Sequence, residues 1–317
     1  MTIINKYIIF GLLIGLFILI FSNYFFLQNR HENFENIKID IGNYLSTYFC
    51  ELGLSILQKT DFNYNNDTNI EMIKYLPNHL PYIYDNFHDE LVKHNVTYEY
   101  INLQEKVALW FIDDNRKFHF WKILKPLFNA ILDKALIQSN LKVDINTPII
   151  HFRCSDTPFV LHRYYHFAKY EFYKNALQII QKQTNNIFDK IIVLSCNFHL
   201  SNTTNVEKCT DYSNMLCNYL NSIGYKTEQQ CNSNINDFAN MFYAPAVISI
   251  GSSFSFISGF CGNGIFISSE HEEETDIKYK CNICDDIMIP GKIKHKDVVD
   301  YYDTSTVNKL LYEIITQ

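Results

Sequence analysis

The stretch Ile149-Ile150-His151-Phe152-Arg153-Cys154-Ser155-Asp156 decides how the fold is read. Two β-branched residues run into a polar cluster, and a long helical pattern follows. That pattern is a strand ending at the carboxyl edge of a sheet, with functional side chains at its tip. Ligands of open α/β sheets sit at that edge, beside the N-termini of the helices that follow. An Arg there suits phosphate, because its planar fork donates paired hydrogen bonds and stays charged at any relevant pH. The plain alternative is an Arg153–Asp156 ion pair at a strand end. His-x-Arg-x-x-Asp by itself does not choose between the two.

Downstream of Pro148 the pattern alternates. Strands are expected at 149–152, 190–196, 225–229, 246–250 and 264–268. Helices are expected at 161–183, 211–223, 235–243 and 254–260, with Gly224 and Pro245 acting as stops. Strand–helix alternation implies right-handed crossovers and a parallel sheet. The fold class is therefore α/β, a doubly wound parallel sheet. Upstream, Phe120, Leu124, Phe128, Ile131 and Ala135 recur at helical steps over 117–138, with Pro126 as a kink or a helix start. Residues 39–59 could hold a strand then a helix, and the N-terminal part reads as mostly helical.

Residues 7–27 are almost wholly apolar and uncharged, and about 20 such residues span a bilayer. The run is long for a cleavable signal, and Ser22-Asn23-Tyr24-Phe25-Phe26 offers no small-x-small cleavage site. We read an uncleaved anchor at 1–28, with a six-residue head in the cytosol and the body in the lumen. The division expected after it is a stalk and N-terminal domain at 29–146, then a Rossmann-like domain at 147–317. Sequons begin at Asn66, Asn95 and Asn202 and lean the same way. Nine Cys leave at least one thiol unpaired within the chain and do not decide the compartment. The lone Cys281-x-x-Cys284 pair is a local disulfide or two reduced thiols rather than a zinc site. The acidic run 270–276 reads as a solvated loop, with a divalent cation as the alternative. A formal charge of −7 argues against a general nucleic-acid binder.

A second strand, 246–250, ends in Gly251-Ser252-Ser253-Phe254-Ser255-Phe256. Backbone N–H groups and Ser hydroxyls at a helix start suit a diphosphate, and an ordinary Ser N-cap is the alternative. It is not a nucleophile elbow, since the second Gly of G-x-S-x-G is missing. Together the two clusters resemble those of the α-1,2-fucosyltransferase-type glycosyltransferases and their wider superfamily. That family carries a His-x-Arg-x-x-Asp strand end, an Asp-Phe-x-x-Met segment, then a strand into Ser-x-Phe-Ser-[aromatic]. The matching residues are His151, Arg153 and Asp156, then Asp237, Phe238 and Met241, then Ser253, Phe254, Ser255 and Phe256. The likeness spans roughly residues 148–268. Cys154-Ser155 stand where the family has a second Arg and a Gly.

The resemblance implies a GT-B architecture of two Rossmann-like halves, with the helical part on the acceptor side. It implies a nucleotide-sugar donor, GDP-fucose by family habit, a glycan acceptor, and no metal or other cofactor. Arg153 would stabilise the leaving diphosphate, with Ser253 and Ser255 as hydrogen-bond donors. Asp156 would orient Arg153 or act as base toward the acceptor. His151 would be structural or near the donor. Asp237 would brace the second cluster or contact the base, and Phe254 would pack under the site or against a ring. A non-catalytic membrane glycoprotein on the same scaffold is the alternative. A Cys154–His151 nucleophile pair is rejected, because alternate residues on a strand point to opposite faces.

Overall fold

A computed structural model describes residues 40–66, 70–112, 114–141, 143, 146–154, 168, 170–196 and 203–268. The expected anchor, Asp156, the Asn202 sequon, the acidic run and the Cys281–Cys284 pair lie outside these. Among the described residues no helix is long and apolar enough to cross a membrane.

The first element is α1 (Ile41–Gln58), one helix where a strand and a helix were open. Leu45, Phe49, Leu52 and Ile56 recur at steps of three and four and are fully buried. Two short strands, β1 (Phe62–Asn63) and β2 (His79–Leu80), pair antiparallel. The helices α2 (Asp85–Lys93), α3 (Tyr98–Asn102) and α4 (Asn115–Gln138) follow. Asp114 caps α4, accepting from the backbone N–H of Arg116 and Lys117. Pro126 neither starts nor ends α4, which runs through it as one helix.

From β3 (Ile149–His151) the chain alternates: α5 (Tyr170–Thr184), β4 (Lys190–Leu194), α6 (Thr203–Ser222), β5 (Lys226–Gln230), α7 (Asn234–Tyr243), β6 (Ala246–Ser249), α8 (Ser253–Phe260) and β7 (Ile265–Ser268). The five strands form one sheet in the order β5-β4-β3-β6-β7, every pair parallel. The expected parallel α/β sheet is present. The chain winds outward from β3 to β5, then returns to the far side of β3 for β6 and β7.

Alternation along the strands divides the core between the sheet's two faces. Ile149, Ile192, Val247 and Phe266 pack with α1, α4, α7 and α8. Ile150, Val193, Ile248 and Ile267 pack with α5 and α6. Burial on both faces explains the unbroken apolar runs of β4 and β6. Edge strand β5 is polar instead, with Lys190 reaching Glu228 at 2.8 Å.

The core does not divide at residue 146. Trp121 of α4, fully buried, meets the ring of Phe256 of α8 at 5.1 Å. Its indole N–H donates to the Leu109 carbonyl at 2.9 Å. Asn129 Nδ2 donates to the Cys261 carbonyl, and the Tyr243 hydroxyl to Asp133, both at 2.7 Å. The helical part and the sheet share one apolar cluster, and the described residues contain one parallel sheet.

Two disulfides tie the carboxyl edge of the sheet. Cys154, just past β3, is bonded to Cys209 of α6, and Cys196, just past β4, to Cys231, just past β5. The first closes a loop of 55 residues. Replacing both Cys154 and Cys209 with Ser should cost about 2–5 kcal/mol of stability, read by equilibrium denaturation. An unchanged midpoint would show that this crosslink does not constrain the chain.

Candidate functional site

β3 and β6 are hydrogen-bonded neighbours, yet the chain leaves them toward opposite edges of the sheet. In open sheets of this kind, ligands bind beyond the carboxyl ends of the strands at such a reversal. His151 lies opposite Ser249 in the ladder, and its ring centroid is 5.8 Å from that of Phe254. The two clusters read from the sequence therefore meet at one edge. Asp156, the last residue of the first cluster, lies outside the described residues.

His151 ends β3. Its Nδ1 is shut off from solvent and has no hydrogen-bond partner among the described residues. Burial, and then the positive charge of Arg153, push the imidazole pKa from the ordinary 6.5 down to about 3. The ring is thus neutral at pH 7, and the half-buried guanidinium lies close enough to act on it.

The second cluster is built differently from the expectation. Ser252 is the N-cap of α8, but its side chain makes no cap hydrogen bond. Ser255 is fully buried, its Oγ sharing a hydrogen bond with Ser249 Oγ at 2.6 Å. Ser253 Oγ donates to Asn43 Oδ1 at 2.9 Å, across 210 residues of sequence. Both hydroxyls expected to face a ligand are engaged within the fold. Gly42 explains the approach of α1. A Cβ there would fall 2.4 Å from the Phe254 nitrogen and 2.6 Å from Ser253 Oγ. The N-terminus of α1 thus lies directly on the first turn of α8. Gly251, at φ 99°, makes the sharp turn between β6 and α8 that only Gly adopts without strain.

Asp237 is buried in the first turn of α7. Its carboxylate accepts from Asn232 Nδ2 at 2.8 Å and from the Asn232 backbone N–H at 3.2 Å. Burial raises its pKa, and the Asn232 hydrogen bonds oppose the rise. Phe254 packs between His151 and Phe238, whose ring centroid is 5.7 Å away. Met241 is buried beneath, with its sulfur 3.7 Å from Ser258 Oγ.

Among the described residues every cysteine is disulfide-bonded or a buried thiol. Cys154 is in a disulfide, and Cys50, Cys217 and Cys261 are buried thiols whose pKa values burial raises. Sequence reading missed Gly42, Asn43 and the Cys154–Cys209 bond. None has a local signal, since each acts on residues far along the chain. Neither protein-family models, curated proteins nor solved structures give a match to this chain.

Two expectations follow. Gly42→Ala should lose about 1–2 kcal/mol, as overpacking of about 1–3 kcal/mol outweighs a helix-propensity gain of at most about 1 kcal/mol. Denaturant titration reads this, and a gain in stability would contradict the close approach. The second concerns pH. Because the folded pKa of His151 is depressed, its contribution is full above pH 6.5, the unfolded value, and is lost as pH falls toward 3. His119, also held low by burial, adds in the same direction. Between pH 6.5 and 5 the protein should lose about 1–2 kcal/mol through His151, and His151→Asn should flatten the curve by that amount.

Proposed function

We propose that the chain is a membrane-anchored glycosyltransferase in which the parallel sheet supplies a Rossmann-like donor side. It moves a sugar, fucose by the resemblance, from a nucleoside-diphosphate donor to a glycan hydroxyl. The observation that carries this reading is the meeting of two clusters at the sheet's reversal. Arg153 lies two residues beyond the end of β3, and β3 pairs with the strand that feeds α8. A permanent cation beside a helix start, at the edge where open sheets bind ligands, suits a diphosphate.

In this reading the bond between the sugar's C1 and the diphosphate oxygen breaks, and its electron pair leaves with the diphosphate. The acceptor hydroxyl oxygen forms the new bond to C1 and gives up its proton. Arg153 offsets the charge that develops on the leaving group, the step at which a preorganised donor lowers the barrier. His151, neutral and beside it, adds no competing charge. Asp156 either orients Arg153 or receives the acceptor's proton. The acceptor side falls to the helical layer of α1 to α4. Two disulfides favour an oxidising compartment, in keeping with a lumenal body behind an N-terminal anchor.

A second reading, a non-catalytic glycoprotein that keeps the scaffold for carbohydrate or partner binding, is favoured by one observation. Ser253 and Ser255 are hydrogen-bonded inside the fold, and α1 lies against the Phe254 nitrogen. A thermal-shift panel of nucleoside diphosphates and nucleotide sugars on the purified full chain separates the two, paired with an assay of donor hydrolysis. The enzyme reading expects stabilisation by one diphosphate, slow release of sugar, and loss of both in an Arg153→Ala variant that still unfolds cooperatively. Stabilisation by none of the nucleotides would overturn it. Glycan binding without donor hydrolysis would point to the second reading.

A further inference from the structure

We propose that Asn95 carries an N-linked glycan and that Asn66, in the same sequence motif, does not. The sequons Asn66-Asp67-Thr68 and Asn95-Val96-Thr97 are equivalent as sequence. The fold treats their asparagines in opposite ways.

Asn95 follows the C-terminus of α2 in the left-handed region, at φ 58°. Its N–H donates to the Val92 carbonyl at 2.9 Å, and the N–H of Val96 to the Leu91 carbonyl at 3.0 Å. This is the paired closure that ends many helices, with Asn in the position usually held by Gly. The backbone does the structural work and the side chain is left over. Asn95 is exposed, and its amide makes no hydrogen bond among the described residues. The next residue, Val96, is fully buried and anchors the turn. Thr97 is exposed and caps α3, its Oγ accepting from the Tyr100 N–H at 3.2 Å. A bulky group on Asn95 Nδ2 therefore extends from a rigid corner and breaks no hydrogen bond among the described residues.

Asn66 is held on both sides. Its Oδ1 accepts from the Tyr44 hydroxyl and its Nδ2 donates to the Ile73 carbonyl, each at 2.5 Å. It is half-buried between α1 and the turn at Ile73. A glycan on that nitrogen would have to enter a contact that joins three parts of the N-terminal layer.

The disulfides Cys154–Cys209 and Cys196–Cys231 are an independent indication of the compartment in which this modification occurs. The step forms a bond from Asn95 Nδ2 to C1 of a sugar carried on a lipid diphosphate. The C1–O bond to that diphosphate breaks, the lipid diphosphate departs with the electron pair, and Nδ2 loses one proton. The inference rests on a lumenal body and is independent of the β3–β6 strand ends.

The test is glycosidase-sensitive gel mobility of the full chain made in a eukaryotic secretory host. Asn95→Gly is the first variant, because Gly accepts the positive φ that Gln would resist. It should migrate one glycan step faster than the parent, with the parent's nucleotide response unchanged. Thr97→Ser, which keeps both the sequon and the helix cap, should match the parent. Asn66→Asp should also match it. Comparing single variants by one step makes the state of Asn202 immaterial. A parent without any glycosidase-sensitive step, an Asn95→Gly variant that migrates with the parent, or a step lost in Asn66→Asp would each overturn the proposal.

Discussion

The pairing of β3 with β6 is the constraint on which the rest depends. These two strands are the centre of the sheet, and they are reached from opposite directions of winding. Their parallel register puts His151 beside Ser249, and so the loop carrying Arg153 beside the turn into α8. Right-handed crossovers leave little choice in the matter once the strand order is set. The meeting of the two strand ends is thus a consequence of topology, and its chemistry depends on what they carry. Here those ends carry a guanidinium, a neutral imidazole and a set of serines.

The sheet was legible in the sequence because its strands are short apolar runs separated by helix-length segments. Five parallel strands were expected downstream of Pro148 and the described residues contain all five, with boundaries moved by one or two residues, as at β5, which begins at Lys226 rather than Tyr225. The apolar character of β4 and β6 reports burial on both faces, a direct consequence of helices on each side. Helix α1 was less clear. Its Tyr, Phe and Cys residues are poor helix formers, and the tertiary packing of Phe49 on Phe128, at 4.2 Å, decides the outcome.

The candidate site was legible in its parts and not in its state. Arg153 and the serine loop do share an edge. The hydroxyls of Ser253 and Ser255 are nevertheless satisfied by Asn43 and Ser249, and a local pattern cannot report a partner 210 residues away. Gly42 is the residue that permits this, and in sequence it is an ordinary glycine near a helix start. Cys154 is a similar case. Read alone it interrupts a basic motif, whereas in the fold its disulfide to Cys209 fixes the chain one residue beyond Arg153.

The account's central claim is that this edge of the sheet receives a diphosphate. The most direct measurement is a crystal structure of the chain with a bound nucleoside diphosphate. The account expects the phosphates beyond the ends of β3 and β6, with the Arg153 guanidinium on their oxygens and His151 alongside. Phosphates bound elsewhere on the chain, or an Arg153 closed off from the bound nucleotide, would contradict it.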